Sequence, residues 1–238
     1  MDLQALQTRV AAANLDLVRH GLVTLTWGNA SAVDRAAGVM AIKPSGVPYD
    51  ALKPEHIVLV RLEDGSSPDD ALRPSSDTPT HLELYRAFPG VSAVMHTHST
   101  HATAWAQMGC PLPCLGTTHA DHFHGPIPVV RALRAEEIEN DYERAAGRSI
   151  VEWFRERDLD PVHLPAALLP GHGPFAWGAD LDAAVANAVA LEEVARMAFL
   201  MKAAGHMLET LDPRLLERHF SRKHGAGAYY GQDKSESE

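Results

Sequence analysis

Leu3, Leu6, Val10, Leu17 and Val18 recur at helical spacing through a polar N-terminal stretch, and Gly21 follows the last of them. One apolar face closed by a glycine predicts an amphipathic helix ending near residue 20. The period then shortens. V23-T-L-T26, V39-M-A-I42 and I57-V-L-V-R-L62 read as strands, with G28-N-A-S31 separating the first two and E63-D-G65 closing the third. After a polar loop over residues 66–74, S75-S-D-T-P79 combines capping groups with a proline suited to a first turn. It predicts a helix entry, the helix carrying Leu82, Leu84 and Tyr85 and ending at Pro89-Gly90.

V91-S-A-V-M-H-T-H98 predicts the next strand and T100-H-A-T-A-W-A-Q107 a short helix. A helical segment covers about residues 135–158, A166-A-L-L169 reads as a strand running into G171-H-G-P-F-A-W-G178, and two helices follow from about Asp180 to Ala204 and Pro213 to Lys223. Strands and helices do not alternate one to one, which favours a mixed α/β sandwich over a parallel doubly wound sheet or an eight-stranded barrel. Neither a repeat nor a linker divides the chain, so one domain is expected over residues 1–232, with 233–238 as a flexible acidic tail.

Composition narrows the function classes. A chain of 238 residues that is 45% hydrophobic is long enough for one full core. A formal charge of −10 argues against nucleic acid or an anionic membrane as partner, because both demand a basic face. Two cysteines, Cys110 and Cys114, exclude a disulfide scaffold and suit a reducing compartment. No apolar run approaches a membrane span, and the N-terminus does not read as a signal peptide. A soluble, cytoplasmic protein is expected.

V94-M-H-T-H-S-T-H101 carries the most pointed chemistry. On a strand, His96 and His98 fall on one face because side chains alternate with period two. A third neutral ligand would make an open catalytic metal site, and His172, in a glycine turn after a strand, is the best-placed candidate. Three histidines leave a divalent ion its full charge and a free position, as a Lewis acid needs. Two further turns, W27-G-N29 and K43-P-S-G46, cluster backbone donors. With Lys43, Ser45, Ser75 and Ser76 they would form a phosphate cradle, giving the local positive potential that the acidic chain otherwise lacks.

G28-N-A-S31, K43-P-S-G-V47, S75-S-D-T-P-T-H81, H96-T-H98, T117-T-H-A-D121, H172-G-P-F175 and K223-H-G-A-G-A-Y-Y-G-Q232 occur in this order. From about residue 3 to Gln232 the chain resembles the class II aldolase family, in its pentulose-phosphate 4-epimerase branch. The resemblance implies a three-layer α/β/α sandwich around a mostly antiparallel central sheet, assembled as a C4 homotetramer with sites between subunits. It implies one zinc, or a similar divalent ion, per subunit on His96, His98 and His172, with Asp77 as a further ligand or close neighbour. Gly28, Asn29, Lys43, Ser45, Gly46, Ser75 and Ser76 match substrate and phosphate contacts. Asp121 and Tyr230 match the acid/base pair, and Tyr230 and His219 would reach a neighbouring subunit's site.

The implied reaction interconverts L-ribulose 5-phosphate and D-xylulose 5-phosphate. C4 lies one bond too far from the C2 ketone for simple proton abstraction. A retro-aldol cut of C3–C4 gives a dihydroxyacetone enediolate and glycolaldehyde phosphate, and re-addition to the other aldehyde face inverts C4. That demands a metal for the oxyanion, a grip on the phosphate, and proton donors on both faces. Sugar-phosphate aldolases of the family typically carry glutamate at position 77, where this chain has Asp77, which favours epimerisation over product release. Two other readings stay open: an aldolase that releases its products, and a non-catalytic binding domain of the same fold. His122 and His124 replace rings common in the epimerases and flank Asp121. His81, His101 and His119 read as structural or as partners behind the site residues.

Overall fold

The structure, a computed structural model, describes residues 2–225 and 228. Six strands form one sheet in the order β3-β2-β1-β4-β6-β5, and every neighbouring pair is antiparallel. They are β1 (Asn29–Asp34), β2 (Val39–Ile42), β3 (Val58–Arg61), β4 (Ala93–His96), β5 (Ala166–Leu168) and β6 (Pro174–Gly178). The main helices are α1 (Leu3–Arg19), α2 (Thr78–Ala87), α3 (Thr100–Met108), α4 (Thr117–Ala120), α5 (Ala135–Asn140), α6 (Tyr142–Glu156), α7 (Leu181–Ala203) and α8 (Pro213–His224). None of the described helices is long and apolar enough to cross a membrane.

Strand alternation builds the layers. Ser31, Phe175 and Trp177 point to one face, where α2 and α6 lie: Ser31 meets His81 and Tyr85 of α2, and Trp177 packs on Phe88 and on Phe154 of α6. The opposite face carries small residues such as Ala30, Ala32 and Ala176, and α1 and α7 pack there. Closeness requires the small side chains: a Cβ on Gly178 would stand 2.6 Å from the backbone nitrogen of Ala184 in α7. Helices thus cover both faces of an antiparallel sheet, giving the expected α/β/α sandwich.

Three local expectations change. V23-T-L-T26 is not a strand; Leu25 sits in a turn at φ 54°, largely exposed, and pairing begins only where Asn29 meets His96. The G28-N-A-S31 segment therefore runs into β1 from Asn29 on instead of separating two strands. The helix expected over 135–158 breaks at Asp141, whose extended φ of −158° ends α5 and lets α6 start afresh at Tyr142. β4 stops at His96, so His98 lies just beyond the strand, yet its ring still joins that of His96.

Candidate active site

Cross-strand register places the first residues of the site. Asn29 of β1 pairs with His96 of β4, and His96 pairs with Phe175 of β6, so one row crosses the middle of the sheet. Gly28 precedes that row at φ 82°, and a Cβ there would stand 2.7 Å from the carbonyl oxygen of His96. Only glycine allows the chain to pass so close.

His96 is buried, stacked on Phe175 with ring centroids 4.3 Å apart. Its Nδ1 donates to the Pro174 carbonyl at 3.0 Å, which leaves Nε2 bare. His98 Nε2 lies 3.1 Å and His172 Nε2 3.0 Å from His96 Nε2. Among the described residues these three rings are the one such group that could hold a metal ion. A tetrahedral ion with metal–nitrogen bonds of about 2.0–2.1 Å holds its ligands about 3.3–3.4 Å apart; the two spacings from His96 are close to that and all three donor atoms lie within 4.8 Å of one another, so the donor set fits a divalent cation. Burial, and then the neighbouring His96, hold His98 and His172 below the usual imidazole range, His172 at about 4. Neutral imidazoles are what a metal requires.

Asp77 sits at the head of α2, but its carboxylate does not cap the helix. Oδ2 instead accepts from Asn29 Nδ2 at 2.7 Å. Burial opposes its charge, yet the histidines around it and Asn29 outweigh burial and hold the carboxyl below its ordinary value. Asp77 shares the cleft with the three histidines without belonging to their group. Asn29 Oδ1 is buried without a partner among the described residues, an acceptor suited to a ligand hydroxyl.

The cradle segments are tied to each other through the backbone. Ser45 N donates to Arg73 O at 2.9 Å, Ser75 N donates to Lys43 O at 3.0 Å, and Pro44 bridges to Pro74. Lys43 is 2% exposed, with its ammonium 4.7 Å from the centre of the Tyr49 ring and no carboxylate within ion-pair distance among the described residues. Burial lowers its pKa. A cleft of about 370 Å³ is lined by Gly28, Asn29, Lys43, Ser45, Gly46, Ser75, Ser76, Asp77 and the three histidines. Every candidate metal and phosphate residue thus faces one space, and Thr26, Trp27 and Pro44 complete its wall.

Asp121 is not brought there. It ends α4 and belongs to a charged cluster with α8, accepting from Arg222 Nη2 at 2.7 Å and His219 Nδ1 at 3.1 Å, with Lys223 Nζ at 3.9 Å. Partial burial works against its charge, but Arg222 and His219 prevail and hold the carboxyl below its ordinary value. His122 and His124 turn elsewhere, to Asn187 and Glu217. Tyr230 lies outside the described residues. His101 gives its backbone N–H and Nδ1 to Glu192 of α7, so the third histidine of the sequence cluster is occupied in joining two helices. Tyr142, which no sequence motif singled out, meets His172 Nδ1 at 2.6 Å.

Residues 8–199 match the family described as Class II Aldolase and Adducin N-terminal domain. The chain is 52% identical over 230 residues to the L-ribulose-5-phosphate 4-epimerase UlaF of Salmonella paratyphi B, covering 97% of this chain and 100% of that protein. The homologous UlaF epimerase of Salmonella typhi is also 52% identical over the same length. Among solved structures, an L-fuculose 1-phosphate aldolase superposes with a TM-score of 0.77 at 25% identity, over 92% of this chain and 95% of that one. A sugar-phosphate aldolase from Thermotoga maritima shares the fold at 18% identity, with a TM-score of 0.65 over 87% and 99% of the two chains.

Proposed function

The chain belongs to the class II aldolase family, and on that premise we propose that it is an L-ribulose-5-phosphate 4-epimerase. It interconverts L-ribulose 5-phosphate and D-xylulose 5-phosphate by cleaving and remaking C3–C4. The observation that carries this reading is that one cleft holds both a three-histidine group and a buried lysine beside paired serines. A sugar phosphate long enough to span the two would place its keto end at the histidines and its phosphate against Lys43.

His96, His98 and His172 would hold a divalent ion, zinc by its preference for nitrogen donors, with Asp77 beside it. Such an ion supplies Lewis acidity for the negative charge that develops on substrate oxygen when C3–C4 breaks. The protein's own groups do the rest. Lys43, Ser45, Gly46, Ser75 and Ser76 keep the phosphorylated aldehyde from leaving between cleavage and re-addition, and Gly28 and Asn29 line the path between the two ends. Asp121 and Tyr230 give and take the C4 hydroxyl proton on opposite faces of the aldehyde.

Asp121 is absent from the cleft wall of its own chain and is bonded to His219, so the two serve one site together. We assign both, with Tyr230, to a neighbouring subunit's cleft in a C4 homotetramer; exposed Phe199 and Leu200 on α7 are available to such an assembly. A small pentulose phosphate and a cytoplasmic location complete the reading.

The rival, an aldolase that releases its products, is favoured by the likeness to L-fuculose 1-phosphate aldolase. It is disfavoured by Asp77, whose short carboxylate is held by Asn29 and so cannot readily protonate the enediolate carbon. Following C4 of labelled L-ribulose 5-phosphate by NMR decides between them. Conversion to D-xylulose 5-phosphate that stops on chelation is expected; accumulation of free dihydroxyacetone and glycolaldehyde phosphate would establish the aldolase instead.

A further inference from the structure

His96 is fixed by its strand, but His172 stands in a turn after Gly171, which adopts φ 68°, and no strand holds it. Its ring is held by side chains. The hydroxyl of Tyr142 lies 2.6 Å from His172 Nδ1, and the two rings are nearly parallel, 10° apart in plane with centroids at 6.0 Å. Tyr142 reaches this position because the helix break at Asp141 makes it the first residue of α6.

A neutral imidazole that presents Nε2 to a cation carries its proton on Nδ1. His96 shows the arrangement: Nδ1 donates to the Pro174 carbonyl while Nε2 faces the other two rings. For His172 the group opposite Nδ1 is the Tyr142 oxygen. We propose that Tyr142 is a positioning residue for the metal centre, its phenol oxygen accepting the Nδ1–H of His172 and holding Nε2 in the ligating tautomer and direction. This rests on the reading that the three histidines hold a divalent ion. Partners of this kind typically change metal affinity 10–100-fold when removed.

Tyr142→Phe keeps the ring and its stacking and deletes only the hydroxyl. Titrating the metal-free protein with zinc against a chromophoric chelator should give a dissociation constant about 10–100-fold weaker than wild type. The thermal midpoint of the metal-free protein should fall only slightly, by the loss of one part-buried hydrogen bond, and that of the zinc-loaded protein should fall further, because weaker zinc binding adds to it, which a merely structural tyrosine would not produce. In zinc-loaded wild type labelled with ¹⁵N-histidine, His172 should show a hydrogen-bonded Nδ1–H. Zinc affinity within twofold of wild type in the variant, or no protected Nδ1–H at His172, overturns the proposal. The NMR measurement needs only the native protein, so it decides even if the variant does not fold. A separate His172→Ala titration isolates the underlying reading: unchanged zinc affinity there means that these histidines are not the ligands, and the role of Tyr142 falls with them.

Discussion

The histidine cleft and the Asp121 cluster both gather ionisable side chains, but they are built in opposite ways. The cleft stands on the sheet, where Asn29, His96 and Phe175 form one cross-strand row, and it leaves its charges short of partners. Among the described residues, buried Lys43 has no carboxylate partner and Asn29 Oδ1 accepts nothing. The cluster sits where a one-turn helix meets the last helix, and it is over-supplied: Asp121 takes hydrogen bonds from Arg222 and His219, with Lys223 close behind. Unpaired polar groups cost stability, and paired ones contribute it. The cleft is therefore arranged for something that arrives, and the cluster keeps a carboxylate ionised until it is used.

The largest test of that contrast removes a metal ligand. His98→Ala should lose stoichiometric divalent metal and lower kcat by on the order of 10³-fold, since the ion supplies several kcal/mol of charge stabilisation. His98 is partly open and lies beyond the end of β4, so the fold should persist. Metal analysis and steady-state kinetics on one preparation check both halves. Full activity without metal would remove the cleft from the chemistry.

Asp121→Asn should separate the regions more finely. Loss of a general acid/base costs about 10²–10⁴-fold in rate, so kcat should fall on the order of 10²-fold while metal content stays at the wild-type level. Stability should fall as well, because Arg222 and His219 lose their charged acceptor. The carboxyl's folded pKa lies below its ordinary 3.8, so its contribution is present above that pH and disappears as pH falls through the lowered value. Wild type and variant should therefore converge in thermal midpoint under acid and differ near neutrality. A variant that also loses metal would join the two regions into one site within a single chain.

The unequal legibility of the two regions has a physical cause. The H-x-H pair and the glycine turns are local patterns, and the sheet needs only register to bring them together. Asp121 could be named from the resemblance, but its setting depends on α4 meeting α8, a contact about a hundred positions apart in the chain that no local periodicity encodes. Tyr142 was hidden for another reason. E139-N-D-Y142 holds no glycine or proline, so the run reads as unbroken helix, and only the backbone turn at Asp141 points the phenol at His172. V23-T-L-T26 misleads in the opposite direction, since its residues suit a strand but find no neighbour to pair with.

The smallest expected effect on rate is the sharpest on sign. Lys43→Met fills nearly the same volume and deletes the buried ammonium. Without that charge the cradle keeps its serine and backbone donors, so kcat should change little while KM for the phosphorylated sugar rises about 10–100-fold, the loss of one charge-assisted contact of about 1.5–3 kcal/mol. Stability should move the other way. Burial holds the folded pKa below 10.5, so the unfolded chain keeps the proton more readily and the charge costs stability at neutral pH. That cost shrinks as pH rises toward 10.5, where the stability of wild type should approach that of the variant. Near neutrality Lys43→Met should then unfold at a higher temperature than wild type, where Asp121→Asn unfolds lower, although both impair the reaction. Calorimetry of the two variants side by side checks this. A lower midpoint for Lys43→Met would mean that the Pro44 carbonyl and the Tyr49 ring fully compensate the buried ammonium, and that the cleft is not held open for an arriving anion.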